Sequence, residues 1–216
     1  KILAGIEALS RRSGRQPIGD VWDFVHQQVA VLQQIEGVEK VEVAGSFRRR
    51  RETVGDVDLL VAAQSSELIM DTFTSQVLVA RVLGKGKIKS SVEFNNGLQA
   101  QVWVLPPEEF GTGLQYATGS KNHNVKVREH ALSQGYSLSE HFLKKEDGTK
   151  VYCATEEEVY KIIGFPWIPP ELREDRGEIQ FAKDGKIPDL VEISDIGAEM
   201  HCHTVWSDGK MTILEM

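Results

Sequence analysis

Asp56 and Asp58 stand two residues apart in "GDVDLLVAA", whose alternation reads as a buried strand over residues 56–63. Side chains two apart on a strand leave the same face, with alpha carbons about 6.6 Å apart at a rise of ~3.3 Å per residue. Two carboxylates so placed repel each other unless they share a cation, and hard Mg²⁺ takes a few carboxylate oxygens together with substrate phosphates. The chemistry this suggests is phosphoryl transfer. Just upstream, "GSFRRRRE" places Gly45 and Ser46 directly after a second strand, where backbone amides and a hydroxyl can approach a phosphate. The four arginines 48–51 add charge-assisted donors. A solvated basic turn beside an edge strand is the plainer alternative; Gly-Ser, arginines and Gly-Asp-x-Asp in this order favour the phosphate site.

Those carboxylates need a scaffold, and the surrounding periodicities supply one. Val21, Phe24, Val25, Val29, Leu32 and Ile35 recur at helical spacing until Gly37, and "KVEVA" (40–44) alternates as a strand ahead of 56–63. "SSELIMDTFTSQVL" is an amphipathic helix. "KGKIKSSVEF" and "LQAQVWVL" flank "NNG" as a hairpin, closed by Pro106 and Pro107. With Asn96-Gly97 as a two-residue turn, Glu93 falls opposite Ala100 and faces away from the cleft. Ala100, Val102 and Val104 form the apolar face, so Gln99, Gln101 and Trp103 lie on the cleft side. Further on, the turn "YATGSKNHN" opens a helix through Val125 and Leu132, and "YSLSEHFL" pairs with "KVYC" around "EDG". A helix capped by Thr155 and Glu158 then runs to Gly164. Proline and charge over residues 165–196 suggest a linker. The chain opens at Lys1 inside a helix-like segment and ends just as "SDGKMTILEM" begins a new pattern, so it is expected to be a piece of a longer protein.

With 41% hydrophobic and 26% charged residues, the composition is that of an ordinary globular chain. A net charge of −7 argues against indiscriminate nucleic-acid binding, leaving local clusters to carry any such role: Arg81, Lys85, Lys87 and Lys89 around the hairpin, and Lys121 and Lys126 later. No run is long and apolar enough for a bilayer span, and two cysteines, Cys153 and Cys202, form no disulfide framework. A cytoplasmic address and no membrane partner are therefore expected.

"GSFRRRRETVGDVDLLV" resembles the nucleotidyltransferase signature of the family X DNA polymerases, the group of DNA polymerase beta. "LQYATGSKNHNVKVRE" resembles the family's Tyr-Phe-Thr-Gly-Ser region, and "IPPELRED" the end of its thumb. "AEMHCHTVWSDGK" is similar to the opening of a polymerase and histidinol phosphatase (PHP) domain, which points to the bacterial and archaeal PolX branch. The resemblance implies an α+β fold: a nucleotidyltransferase palm of mixed sheet and helices over residues 17–107, followed by a small α+β thumb over 108–176. A remnant of a preceding helical domain would occupy 1–16, a linker 177–196, and the start of a PHP domain 197–216.

It also implies roles. Asp56 and Asp58 would hold Mg²⁺ or Mn²⁺, and Ser46, Arg49 and Gly55 the phosphates of an incoming dNTP. Tyr116 and Gly119 would line the sugar pocket, Asn124 would meet the base edge, and Arg128 would reach the template. Lys85, Lys87 and Lys89 would contact primer-template or gapped DNA. In the tail, His201 and His203 alternate on an expected strand with Asp208 five residues later, the first ligands of a Mn²⁺ or Zn²⁺ cluster that a complete PHP domain would hold. The chain is expected to be a monomer, nucleoid-associated in the cytoplasm, filling short gaps in DNA repair.

Two positions depart from the family. Where it places a third metal-binding carboxylate, in a Gln-Val-Asp-Leu-Arg pattern, this chain has Gln101. An amide carries no charge and cannot act as a base. Ala117 stands where an aromatic residue usually crowds the sugar 2′ position. The resulting expectation is a polymerase core with impaired catalysis. Its alternatives are a catalytically degenerate DNA- and nucleotide-binding platform for a downstream PHP nuclease, or a nucleotidyltransferase acting on RNA ends or small molecules, against which the thumb and Tyr116 region argue.

Overall fold

A computed structural model describes residues 14–198 and 201–216. The expected helical remnant therefore lies almost wholly outside the described residues. The first lobe is built on a five-stranded mixed sheet: β1 (Val38–Val43), β2 (Asp56–Ala63), β3 (Val79–Lys85), β4 (Lys89–Phe94) and β5 (Gln99–Leu105). The spatial order is β1-β2-β5-β4-β3, with β2 and β5 parallel and the other pairs antiparallel. Helices α1 (Ile18–Gln33) and α3 (Glu67–Thr74) cover one face. Their Val21, Val25, Leu32, Ile69, Met70 and Phe73 interlock with Val57, Leu59, Val61, Val92, Ala100 and Val102 from the sheet. Such alternation is what a strand buried on one face and functional on the other requires. Between β1 and β2 the arginine-rich stretch is a one-turn helix, α2 (Gly45–Arg48), rather than a plain turn.

Two expectations about this sheet are corrected. Residues 79–84, unassigned from sequence, and Lys85, expected in the hairpin strand that instead begins at Lys89, form the edge strand β3, where exposed Val82 and Leu83 mask the alternation expected of a half-buried strand. The hairpin between β4 and β5 is closed by three residues rather than two. Gly97 (φ +81°) donates its amide to the Phe94 carbonyl, Phe94 pairs with Leu98, and Asn95 instead binds the Leu78 carbonyl. A left-handed glycine at the third loop position is the usual solution for such loops. The extra residue moves the register by one, so Glu93 pairs with Gln99 and not with Ala100. Glu93 thus shares the cleft face with Asp56, Asp58 and Gln101.

The second lobe begins at α4 (Phe110–Thr118), which helical periodicity does not reveal because two glycines interrupt it. Both are required by packing: a methyl group at Gly111 would overlap the Thr155 backbone, and one at Gly113 the Leu105 side chain. This close approach lets α4 cover the cleft-side apolar residues Leu60, Ala62 and Leu105. Then come α5 (Lys121–Ser133), a meander of β6 (Tyr136–Leu138), β7 (Leu143–Lys145) and β8 (Lys150–Val151), and α6 (Glu156–Ile162). "YSLSEHFL" therefore holds a strand, a turn and part of a second strand. The expected capping box is formed, with Glu158 accepting from the Ala154 and Thr155 amides and Thr155 Oγ1 from Glu158.

The segment expected to open a linker instead forms α7 (Glu178–Lys183), which buries Ala182 against this lobe. Its anchor is Glu178, which accepts from the Asp175 and Arg176 amides and meets His123 Nδ1 at 2.7 Å. His123 is fully buried, its other ring nitrogen lies 2.9 Å from the Tyr160 hydroxyl, and burial holds its pKa below the usual range. No helix among the described residues is long and apolar enough to cross a membrane.

Candidate nucleotide site

The site forms where β2 and β5 run side by side. Their parallel register sets Asp56 beside Gln99 and Asp58 beside Gln101, all on the face that α1 and α3 leave open. Gly45 allows α2 to start close to this row: its φ is +60°, and a methyl group there would sit 2.8 Å from Asp58 Oδ2. Burial, and then the charge of Asp56, push the Asp58 carboxyl up to about 6, against the opposing pull of Lys89 and Arg49. Such a pair fits a divalent cation, which would neutralise the repulsion both groups otherwise suffer. A carboxyl whose folded pKa is raised costs stability once ionised in both states, above about pH 6, and costs nothing below its ordinary 3.8. Asp58→Asn is therefore expected to stabilise the metal-free protein by roughly 1–3 kcal/mol at neutral pH, with the gain gone near pH 4. Thermal melts of both proteins across that range would check it.

A third carboxylate does not join the pair. Gln101 Nε2 donates to Asp56 Oδ2 at 3.4 Å, so the amide turns its donor toward the aspartates. Glu93, although on the right face, is buried and held by Arg81 Nη2 at 2.8 Å, one strand further away than Gln99. Among the described residues no three His, Cys, Asp or Glu side chains converge as a metal site. The donors present fit a two-aspartate cation site and not a three-carboxylate one.

The arginine run has partners that its sequence did not announce. Arg48 spans to Thr118 Oγ1 (2.7 Å) and Glu156 Oε2 (2.7 Å), and Arg49 to Glu174 Oε1 (2.8 Å) and the Thr118 carbonyl (2.5 Å). Glu156 also binds the wholly buried Arg173 at 2.5 Å. Burial pushes Glu156 up, but Arg173 and Arg48 outweigh it and hold the carboxyl down at about 2. Glu156, Arg173 and Glu174, absent from the sequence expectations, thus tie the two lobes together. The unusual density of arginine was the one clue that acids must come from elsewhere.

The remaining expected residues are distributed unevenly. Ser46 lies in the first turn of α2 and Gly55 immediately before Asp56. Gly119 (φ +68°) approaches Arg49, whose Nη1 would lie 3.1 Å from an added methyl group. Tyr116 lies between Trp103, whose ring is tilted 38° and 6.0 Å away, and the Arg128 guanidinium, 5.2 Å away, while Lys89 covers the Trp103 ring at 4.2 Å. Arg128 and Lys89 are therefore drawn to aromatic faces beside the cleft. Asn124 binds the Tyr116 carbonyl (2.7 Å) and accepts from Gln115 (2.9 Å), fastening α5 to α4. Lys85 pairs with Asp71 at 2.5 Å on the far edge, near Lys87 and away from the aspartates. In the tail residues 201–204 form no strand, contrary to expectation, and Glu199 and Met200 lie outside the described residues. His203 nevertheless meets His201 (2.8 Å) and Asp208 (2.5 Å).

A mixed-sheet lobe carrying two adjacent aspartates beside a Gly-Ser helix, joined to a small α+β lobe, is the architecture of a nucleotidyltransferase palm with its thumb. The DNA polymerase beta palm matches residues 12–104 and the DNA polymerase beta thumb residues 113–174. The chain is 32% identical over 219 residues to the "DNA polymerase/3'-5' exonuclease PolX" of Bacillus subtilis (strain 168), an alignment covering all of this chain and 38% of the relative. It is 30% identical over 161 residues to rat (Rattus norvegicus) "DNA polymerase lambda", covering 60% of the chain and 28% of the relative. It is 23% identical over 142 residues to the African swine fever virus "Repair DNA polymerase X", covering 62% and 82%. The chain belongs to the family X DNA polymerases. It spans well under half the length of the first two of these relatives.

Proposed function

We propose that this chain is the palm and thumb core of a DNA-directed polymerase that binds a dNTP and gapped or primer-template DNA, with catalysis weakened at Gln101. The observation that carries this reading is the row Asp56, Asp58 and Gln101 on one face, with Gly45, Ser46 and Arg49 alongside and two of three metal-binding carboxylates retained. Mg²⁺ or Mn²⁺ held by Asp56 and Asp58 would supply charge neutralisation for the triphosphate. Ser46, Arg49 and Gly55 would orient its β and γ phosphates, Tyr116 and Gly119 its sugar, and Asn124 its base once released from Gln115. Lys89 and Arg128 would leave their aromatic partners for DNA phosphates, with Lys85 and Lys87 further along the edge. DNA repair is the setting that the name of the African swine fever virus relative suggests, and filling short gaps is the form that role would take here.

The second reading is a platform that holds DNA for a downstream PHP nuclease. Gln101 favours it; His201, His203 and Asp208, which touch pairwise but do not converge as a metal site by themselves, would need ligands from a complete PHP domain to hold Mn²⁺ or Zn²⁺. Equilibrium binding of a fluorescent dNTP with Mg²⁺, with and without one-nucleotide-gapped DNA, separates them. Polymerase ancestry retained in the pocket gives binding that Asp56→Ala weakens at least about tenfold, because an opposite charge beside the cation is lost. DNA binding with no Asp56-dependent nucleotide binding would leave only the platform.

A further inference from the structure

All four arginines beside the aspartates are met by acids, three of them from the thumb. Arg48 has Glu156, Arg49 has Glu174, Arg50 lies 3.9 Å from Glu171, and Arg51 reaches Glu174 at 3.8 Å as well as its neighbour Glu52 at 3.6 Å. These contacts differ in kind. Glu156 has 2% of its side chain exposed and receives two guanidinium groups and an indole N–H from Trp167. Glu174 sits at the thumb's end with 18% of its side chain exposed, and one of its oxygens, Oε1, serves both Arg49 and Arg51. Arg49 in turn is one of two cations whose field reaches the Asp58 carboxylate. A carboxylate and a phosphate accept from a guanidinium in the same geometry.

We infer that Glu174 is an affinity-determining residue of the nucleotide site: an internal anion that occupies Arg49 until a polyphosphate displaces it. The inference rests on the nucleotide-binding reading above and adds a residue to it. Because Arg49 comes from the palm and Glu174 from the thumb, displacement also removes one of the ties between the lobes, while Glu156 keeps the joint. Ligands whose phosphates engage Arg49 must overcome the Glu174 contact. Nucleosides and monophosphates, which do not extend to Arg49, are indifferent to it.

The test compares the unaltered protein with Glu174→Gln, and with Glu171→Gln as a control for simple loss of charge at an exposed pair. Binding of Mg²⁺-dNTP, of the matching dNMP and of inorganic triphosphate is measured by calorimetry, with melting temperature recorded for each protein. Glu174→Gln is expected to bind dNTP and triphosphate about tenfold more tightly, the order of one charge-assisted bond. Its dNMP affinity should not change, its melting temperature should fall by a few degrees, and Glu171→Gln should bind like the unaltered protein. A purely structural Glu174 predicts the same fall in melting temperature but unchanged or weaker dNTP binding, which would overturn the inference. Equal gains in both variants would assign the effect to net charge and overturn it too. If the unaltered protein binds no dNTP but Glu174→Gln binds one, the inference stands and the pocket is blocked as found. If neither binds dNTP or triphosphate, the nucleotide reading and this inference fall together.

Discussion

Gln101→Asp is expected to raise single-nucleotide insertion on a one-nucleotide-gapped duplex by at least about a hundredfold, the scale on which losing one electrostatic group from a reacting centre is felt. The ladder fixes the reason. Gln101 pairs with Asp58 and points its amide at Asp56, so a carboxylate there would complete a three-oxygen set without moving the backbone. It would also add a proton acceptor where a primer hydroxyl must be deprotonated, which an amide cannot offer. A third negative charge carries a cost. Without divalent cation, Gln101→Asp should melt at lower temperature than the unaltered protein, and Mg²⁺ should raise its melting temperature more. Asp56→Ala in either background should abolish insertion. Insertion by the unaltered protein at the rate of Gln101→Asp, and dependent on Asp56, would mean that another group completes the site.

Glu156→Gln should cost about 3–5 kcal/mol of stability, the usual penalty for leaving a buried charge uncompensated. Arg173 is wholly buried, its Nη2 already lacks an acceptor, and Glu156 is its only carboxylate contact within ion-pair distance among the described residues. Arg48 would lose its thumb partner at the same time, so urea unfolding followed from both lobes should show earlier and less concerted transitions. The pH dependence has a definite sign. Glu156 is held at about 2 against an ordinary 4.5, so its stabilisation is complete above about pH 4.5 and drains away as pH falls toward 2. The variant's stability should fall less over that window than that of the unaltered protein. Parallel pH curves would show that the carboxylate charge does not hold the joint.

Much of the site was legible because its determinants are local. The alternation in 56–63 put Asp56 and Asp58 on one face, and the same parity put Gln101 with them. Thr155 and Glu158 announced a helix start by themselves. Glu93 was misplaced because strand register depends on loop length, and "NNG" accommodates two residues or three until Asn95 finds Leu78. Helix α4 was hidden because its glycines answer to Thr155 and Leu105, neither of them a neighbour in sequence.

The sequence by itself determined that Asp56, Asp58 and Gln101 line one face of the palm sheet, since strand parity and residue identity alone decide which side chains share a face. Only the tertiary structure decided what the four arginines do. Arg48 and Glu156 are 108 residues apart, and Arg49 and Glu174 are 125 apart. No periodicity encodes a pairing over such a span. The thumb had to fold back on the palm before Arg48 and Arg49 could meet the acids that tie the two lobes together.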